Sequence, residues 1–127
     1  MHVSAAFDSG NIEVLDASDP NNVRLAIRPD QGGEHMQWFH FRVSGARGVP
    51  LTLRITNADK VSYPLAWETY RACISTDRQR WTRTNTAYVD KQLVISVTPS
   101  ADVLYVAYFA PFSHERHLDL LAEAQQS

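Results

Sequence analysis

The stretch MQWFHFRV, residues 36–43, decides the fold. Extended, it sends Gln37, Phe39, Phe41 and Val43 to one side and Met36, Trp38, His40 and Arg42 to the other, because side chains alternate along a strand. Bulk on both sides predicts a strand in the interior of a sheet. The period of two continues outward in both directions. Upstream of DQGG (30–33), Val23, Leu25 and Ile27 share one face while Arg24 and Arg28 take the other. Downstream, SGARGVP (44–50) makes a turn from two glycines and a proline, and LTLRIT (51–56) resumes with Leu51, Leu53 and Ile55 inward.

Beyond this centre, NADKVSYPLAWETY (57–70) is a long irregular connection whose Tyr63, Pro64 and Trp67 predict packing across one end of a sheet. YRACIS (70–75) and WTRTNTAYV (81–89) read as a hairpin, its turn set by Asp77 accepting local backbone hydrogen bonds. QLVISV (92–97) and VLYVAYF (103–109) read as a second pair across TPSAD. Seven or more strands at this spacing, with no crossover helices between them, predict an antiparallel β-sandwich. After Phe109 the pattern changes. Pro111 breaks the strand, and Leu118, Leu121, Ala122 and Gln125 recur at helical spacing, predicting a C-terminal helix with one apolar stripe. The division expected is a sandwich over 1–112 and a linker helix over 113–127.

A chain of 127 residues suits one domain that buries roughly two-thirds of the surface its unfolded form exposes. Cys73 is the sole cysteine, which excludes an intrachain disulfide and a cysteine-ligated zinc cluster. No signal-peptide pattern follows Met1 and no eighteen apolar residues run together, so a soluble, cytoplasmic protein is expected. Ten arginines and two lysines against fourteen acidic residues give a net charge of −2, with the arginines scattered along the chain. That is not the basic face of a nucleic-acid binder. Arginine's excess over lysine fits either side chains that fix loops and strand ends or a site for acidic ligands.

Catalytic signals are weak. His114 and His117 in HERH stand about one helical turn apart, but a zinc site needs a further ligand that the sequence does not nominate. His40, flanked by phenylalanines in a strand, reads as a hydrogen-bonded, semi-buried residue with no nucleophile beside it. Cys73 reads as a small strand residue, and Gly32 and Gly33 lie in no phosphate-loop pattern. Trp38, Tyr63, Trp67, Tyr70, Trp81 and Tyr88 leave open a carbohydrate-binding platform, which requires an exposed, coplanar row.

SGNIEVL, RPDQGGEHMQWFHFRVSGARG, LRITNA, SYPLAWETYRACISTDRQRW and YVAYFAPFSHERHLDLL together make nearly the whole chain resemble the amino-terminal domain of bacterial zinc carboxypeptidases of the cytosolic carboxypeptidase type. The resemblance implies an antiparallel β-sandwich packed against a following carboxypeptidase A-like domain. That second domain carries the zinc ligands, an H-x-x-E pair and a later histidine, together with the catalytic glutamate. The family's eukaryotic relatives remove glutamates from tubulin tails and other proteins. HERH places histidine, not glutamate, three residues after His114, so no catalytic or metal residue carries over to this chain. The expected role is therefore non-catalytic: to dock on and support the catalytic domain, which the sequence leads towards but does not include. Phe109, Pro111, Phe112, Arg116, His117, Leu118 and Leu121 are the expected docking residues, with Ser113 capping the helix and Glu115 near its positive end. Arg42, Arg71 and Arg83 are the candidate contacts for acidic peptide or protein substrates of the parent enzyme. No cofactor is expected in the chain itself, zinc belonging to the parent's catalytic domain, and neither nucleic acid nor membrane is an expected partner.

Overall fold

The alternating runs fold as ten strands in the computed structural model, which describes residues 1–7, 10–28, 39–60, 67 and 70–108. They are β1 (His2–Ser4), β2 (Glu13–Asp16), β3 (Val23–Ala26), β4 (His40–Ser44), β5 (Leu51–Ile55), β6 (Cys73–Ser75), β7 (Thr82–Arg83), β8 (Asn85–Val89), β9 (Gln92–Val97) and β10 (Val103–Ala107). Two five-stranded sheets result, ordered β1-β4-β10-β6-β7 and β2-β3-β5-β9-β8. As the double-sided bulk of residues 36–43 requires, β4 is an interior strand, with β1 and β10 on its flanks.

The core lies between the sheets. The first contributes Val3, Phe41, Val43, Leu104 and Val106; the second contributes Val23, Leu25, Leu53, Ile55, Leu93 and Ile95, all buried. Each such side chain contributes about 1.5–3 kcal/mol relative to exposure, so these two facing sets dominate the stability. Leu51, Leu53 and Ile55 point inward as their spacing predicts.

Three pairings differ from the sequence reading. First, the sandwich is not wholly antiparallel: β3 and β5 run parallel, Val23 opposite Leu53 and Leu25 opposite Ile55. Between them in sequence, β4 belongs to the other sheet, so the chain crosses over and returns in its original direction. The side chain of Asn57 extends this pairing by one residue, accepting from Ile27 N and donating to Ile27 O, both at 2.9 Å. Second, β9 and β10 do not pair. They lie in different sheets, and the TPSAD segment bridges the sandwich. The partner of β9 is β8, through a two-residue turn in which Asp90 (φ 52°) and Lys91 (φ 65°) are both left-handed. This twist matches a tight hairpin, but glycine, its usual marker, is missing.

Third, the expected strand 81–89 is split. Cys73 pairs with Arg83 and Ile74 with Thr82 in the first sheet, while Asn85–Val89 pairs with β9 in the second. Thr84 is the crossing point: its N–H donates to Ala72 O at 2.9 Å and its hydroxyl to Ser96 O at 2.8 Å. Beside it, the buried Thr86 hydroxyl accepts from Ala72 N at 2.9 Å and donates to Thr84 O at 3.0 Å. These bonds join the sheets where a continuous strand is impossible. The expected C-terminal helix and the 112/113 boundary lie outside the described residues.

Candidate functional site

Two regions of the first sheet carry the residues singled out by the sequence. One is the end at which β10 finishes. Phe39, Trp67, Tyr70 and Tyr108 gather there with ring centroids 5.1–6.3 Å apart. Trp67 is fully buried and donates its indole N–H to Ala58 O at 2.9 Å, so at this point the long connection does pack against the sandwich; Tyr63 and Pro64 lie outside the described residues. The Tyr70 hydroxyl meets Ala107 O at 3.2 Å and makes a shorter bond to Tyr108 O. Burial pushes this phenol well above its ordinary range, which keeps it a donor at physiological pH. The chain leaving β10 is thus held by backbone carbonyls at two successive residues. The predicted docking residues Phe109, Pro111, Phe112, Arg116, His117, Leu118 and Leu121 follow directly and lie outside the described residues.

The second region is the outer face of the same sheet. Here β4 presents His40 and Arg42, β10 presents Tyr105, and β7 presents Arg83. The segment after β1 folds back over this face. Gly10 makes that possible: a Cβ there would stand 2.2 Å from Ala5 O. Asn11 then exchanges two backbone bonds with His40, at 2.8 and 3.1 Å. Phe7 is thereby set edge-on against His40, centroids 4.8 Å apart, and against Tyr105 at 5.9 Å. Trp81 meets the His40 ring at 5.9 Å, leaving His40 with no exposed surface. This imidazole is fully buried in an aromatic cluster, where the sequence predicts a semi-buried residue, because the Phe7 and Trp81 rings come over it from distant segments.

The three candidate arginines do not form one group. Arg71 donates to Tyr70 O at 3.0 Å, and Arg83 donates to Arg71 O at 2.6 Å, so these two brace the approach to β6. Arg42 stands apart on β4, its guanidinium carbon 6.0 Å from the Phe7 centroid. Arg78, not singled out in the sequence, joins it there at 5.7 Å from Phe7 and 5.3 Å from Tyr105. The turn before β7 aims Arg78. Ser75 Oγ accepts from Asp77 N and Arg78 N, and Asp77 Oδ1 accepts from Gln79 N and Arg80 N, fixing Arg78 at φ 63°. The Asp77 turn is therefore as expected, but its effect on Arg78 is visible only in three dimensions.

The described residues contain no group of three or more histidine, cysteine or acidic side chains placed to hold a metal, so they do not fit a zinc centre. His114 and His117 lie outside them. Cys73 is buried in β6. Of the proposed sugar platform, Trp67 is buried, Tyr70 and Tyr88 pack against the core, Trp81 meets His40 edge-on, and Trp38 and Tyr63 lie outside the described residues; among the described residues there is no exposed aromatic row. No helix of the described residues is long and apolar enough to cross a membrane.

Two five-stranded sheets enclosing one core, with the exit from β10 held by Tyr70, define a β-sandwich domain. Residues 3–109 match the family described as the cytosolic carboxypeptidase N-terminal domain, and the chain belongs to that family. It is 46% identical over 122 residues to an uncharacterized protein of Zymomonas mobilis, covering 96% of this chain and 32% of that one. Two solved structures are also similar. A metallo-carboxypeptidase from Pseudomonas aeruginosa has 43% identity and a TM-score of 0.87, over 99% of this chain and 34% of its own. One from Burkholderia cenocepacia has 39% identity and a TM-score of 0.88, over 99% and 33%. The chain spans about a third of the length of these relatives.

Proposed function

We propose that the chain is the non-catalytic N-terminal domain of a zinc metallocarboxypeptidase and that its task is to dock on and support the catalytic domain. The observation that carries this reading is the family match over residues 3–109, within a chain whose whole length aligns with a third of metallo-carboxypeptidases. The Tyr70 anchor supports it, because a strand held by two carbonyls gives the following segment a defined direction. In this reading zinc and the catalytic glutamate belong to the parent's other domain, which removes C-terminal residues, glutamate among them, from peptides or proteins in the cytoplasm. Phe109, Pro111, Phe112, Arg116, His117, Leu118 and Leu121 form the joint.

The test supplies the catalytic domain as a separate polypeptide. Association with this chain is expected, together with a rise in hydrolysis of a peptide ending in glutamate, and Phe112→Ala should weaken the association by about tenfold. Unchanged affinity removes Phe112 from the joint. Failure to associate, with the catalytic domain fully active alone, refutes the supporting role.

A further inference from the structure

We infer that the cleft between the two sheets at the start of β10 is a binding site for a small phosphomonoester. Its phosphoryl group is held by Arg80 and the hydroxyls around it, and its carbon skeleton rests on Ile74 and Leu104. The cleft has a volume of about 250 Å³, below the range of pockets that take drug-sized ligands. One wall is the turn after β6, which carries Thr76 and Arg80, with Thr82 beyond it on β7; the other is the segment after β9, which carries Thr98 and Ser100. No carboxylate of the described residues lines it. In a chain of net charge −2 this is a local reversal of sign, and a cleft with apolar walls focuses the field of its one cation.

Both walls are fixed by bonds that leave these donors available. Ser75 Oγ accepts from Asp77 N at 3.2 Å and Arg78 N at 2.8 Å, and Asp77 Oδ1 accepts from Arg80 N at 3.0 Å, so the turn sets the Arg80 backbone. Across the cleft, Gly48 N donates to Pro99 O at 2.8 Å and holds the residue between Thr98 and Ser100. The hydroxyls of Thr76, Thr82, Thr98 and Ser100 make no hydrogen bond with a described residue. Arg80 forms no ion pair with one: the ion pair among the described residues is Arg24 with Asp16, in the other sheet. Asp77 lies outside the lining, and its Oδ1 also takes the Ser75 hydroxyl and Gln79 N.

The donor set selects the ligand. A phosphoryl group presents three acceptor oxygens in different directions, which suits donors converging from two walls, whereas a planar carboxylate presents two. Inorganic phosphate would leave Ile74 and Leu104 uncovered, so an ester with a short carbon chain should bind more tightly. No aromatic ring of the described residues lines the cleft, which disfavours a neutral sugar held by stacking. Leu104 is about 13 Å along β10 from Tyr108, so this site and the interdomain joint can fail separately.

The test is an amide NMR titration of the isotope-labelled 127-residue chain at constant ionic strength. The probes are glycerol 3-phosphate, inorganic phosphate, glycerol and acetate. Saturable shifts at Thr76, Arg80, Thr82, Thr98 and Ser100 are expected with glycerol 3-phosphate, weaker binding with inorganic phosphate, and none with glycerol or acetate. Arg80→Gln should weaken the binding about tenfold and Ser100→Ala about threefold, while Arg54→Gln, outside the cleft, leaves it unchanged. The Arg80→Gln chain should melt at the wild-type temperature, which separates lost binding from lost folding. Absence of saturable shifts with both phosphates, equal binding of acetate, or equal loss in Arg54→Gln overturns the inference. Inorganic phosphate binding more tightly than the ester overturns the assignment of an ester.

Discussion

Thr86→Val tests whether a single hydroxyl joins the two sheets. Valine keeps the shape of threonine, so the change removes the oxygen that accepts from Ala72 N and the proton given to Thr84 O, with little else altered. Ala72 is fully buried, and losing its acceptor leaves an N–H cut off from water. Such a loss costs about 1–3 kcal/mol. For a chain of this size that lowers the melting temperature by roughly 4–12 °C. Thr86→Ser keeps the hydroxyl and deletes one methyl, about 0.8 kcal/mol. Urea denaturation followed by tryptophan fluorescence should therefore rank wild type above serine and serine above valine, with similar denaturant dependence in all three. A valine variant as stable as wild type would show that Thr86 only fills space and that the crossing is held elsewhere.

Lys91→Gly should stabilise the β8–β9 turn by about 0.5–1 kcal/mol, since the left-handed penalty it relieves exceeds the entropy glycine loses; a lower urea midpoint would contradict this. The Asp77 carboxyl is held below its ordinary value, first by Arg80 N, then by Gln79 N and the Ser75 hydroxyl. Its stabilisation is therefore present above an unfolded value of about 4 and fades as pH falls below it through the depressed folded value. Asp77→Asn keeps an oxygen for the turn, so it should flatten the stability profile below about pH 4, and an unchanged acid limb would show that the charge is immaterial. Cys73, buried in β6, should react with a bulky disulfide reagent only as fast as the protein opens; immediate labelling of the native chain would place the thiol at the surface.

The sequence showed clearly what depends on local alternation or local turn chemistry. Leu51, Leu53 and Ile55 declare their inward face by spacing alone, and Asp77 sits where a side-chain oxygen can gather its own turn. What it hid depends on partners distant along the chain. Nothing local to Val23–Ala26 says that its neighbour is a parallel strand reached by way of the opposite sheet. The Asp90–Lys91 turn lacks the glycine that would mark a hairpin after β8, so nothing local to β9 identifies β8 as its neighbour. Arg78 was missed for a similar reason. Its contacts are with Tyr105, brought near by the pairing of β10 with β6, and with Phe7, brought near when the segment after β1 folds back, both far away in sequence. The position of Arg42 on the outer face follows from the alternation of β4, whereas its separation from Arg71 and Arg83 does not.

The pairing of β4 with β10 carries a cost during synthesis. Val43 meets Leu104 roughly 60 positions later, so Phe41 and Val43 leave the ribosome well before the strand that completes their sheet exists. At cellular elongation rates that interval lasts about 3–12 s. Over those seconds the nascent chain displays an oily β-strand with an open hydrogen-bonding edge, a form that chaperones recognise and that neighbouring nascent chains can capture.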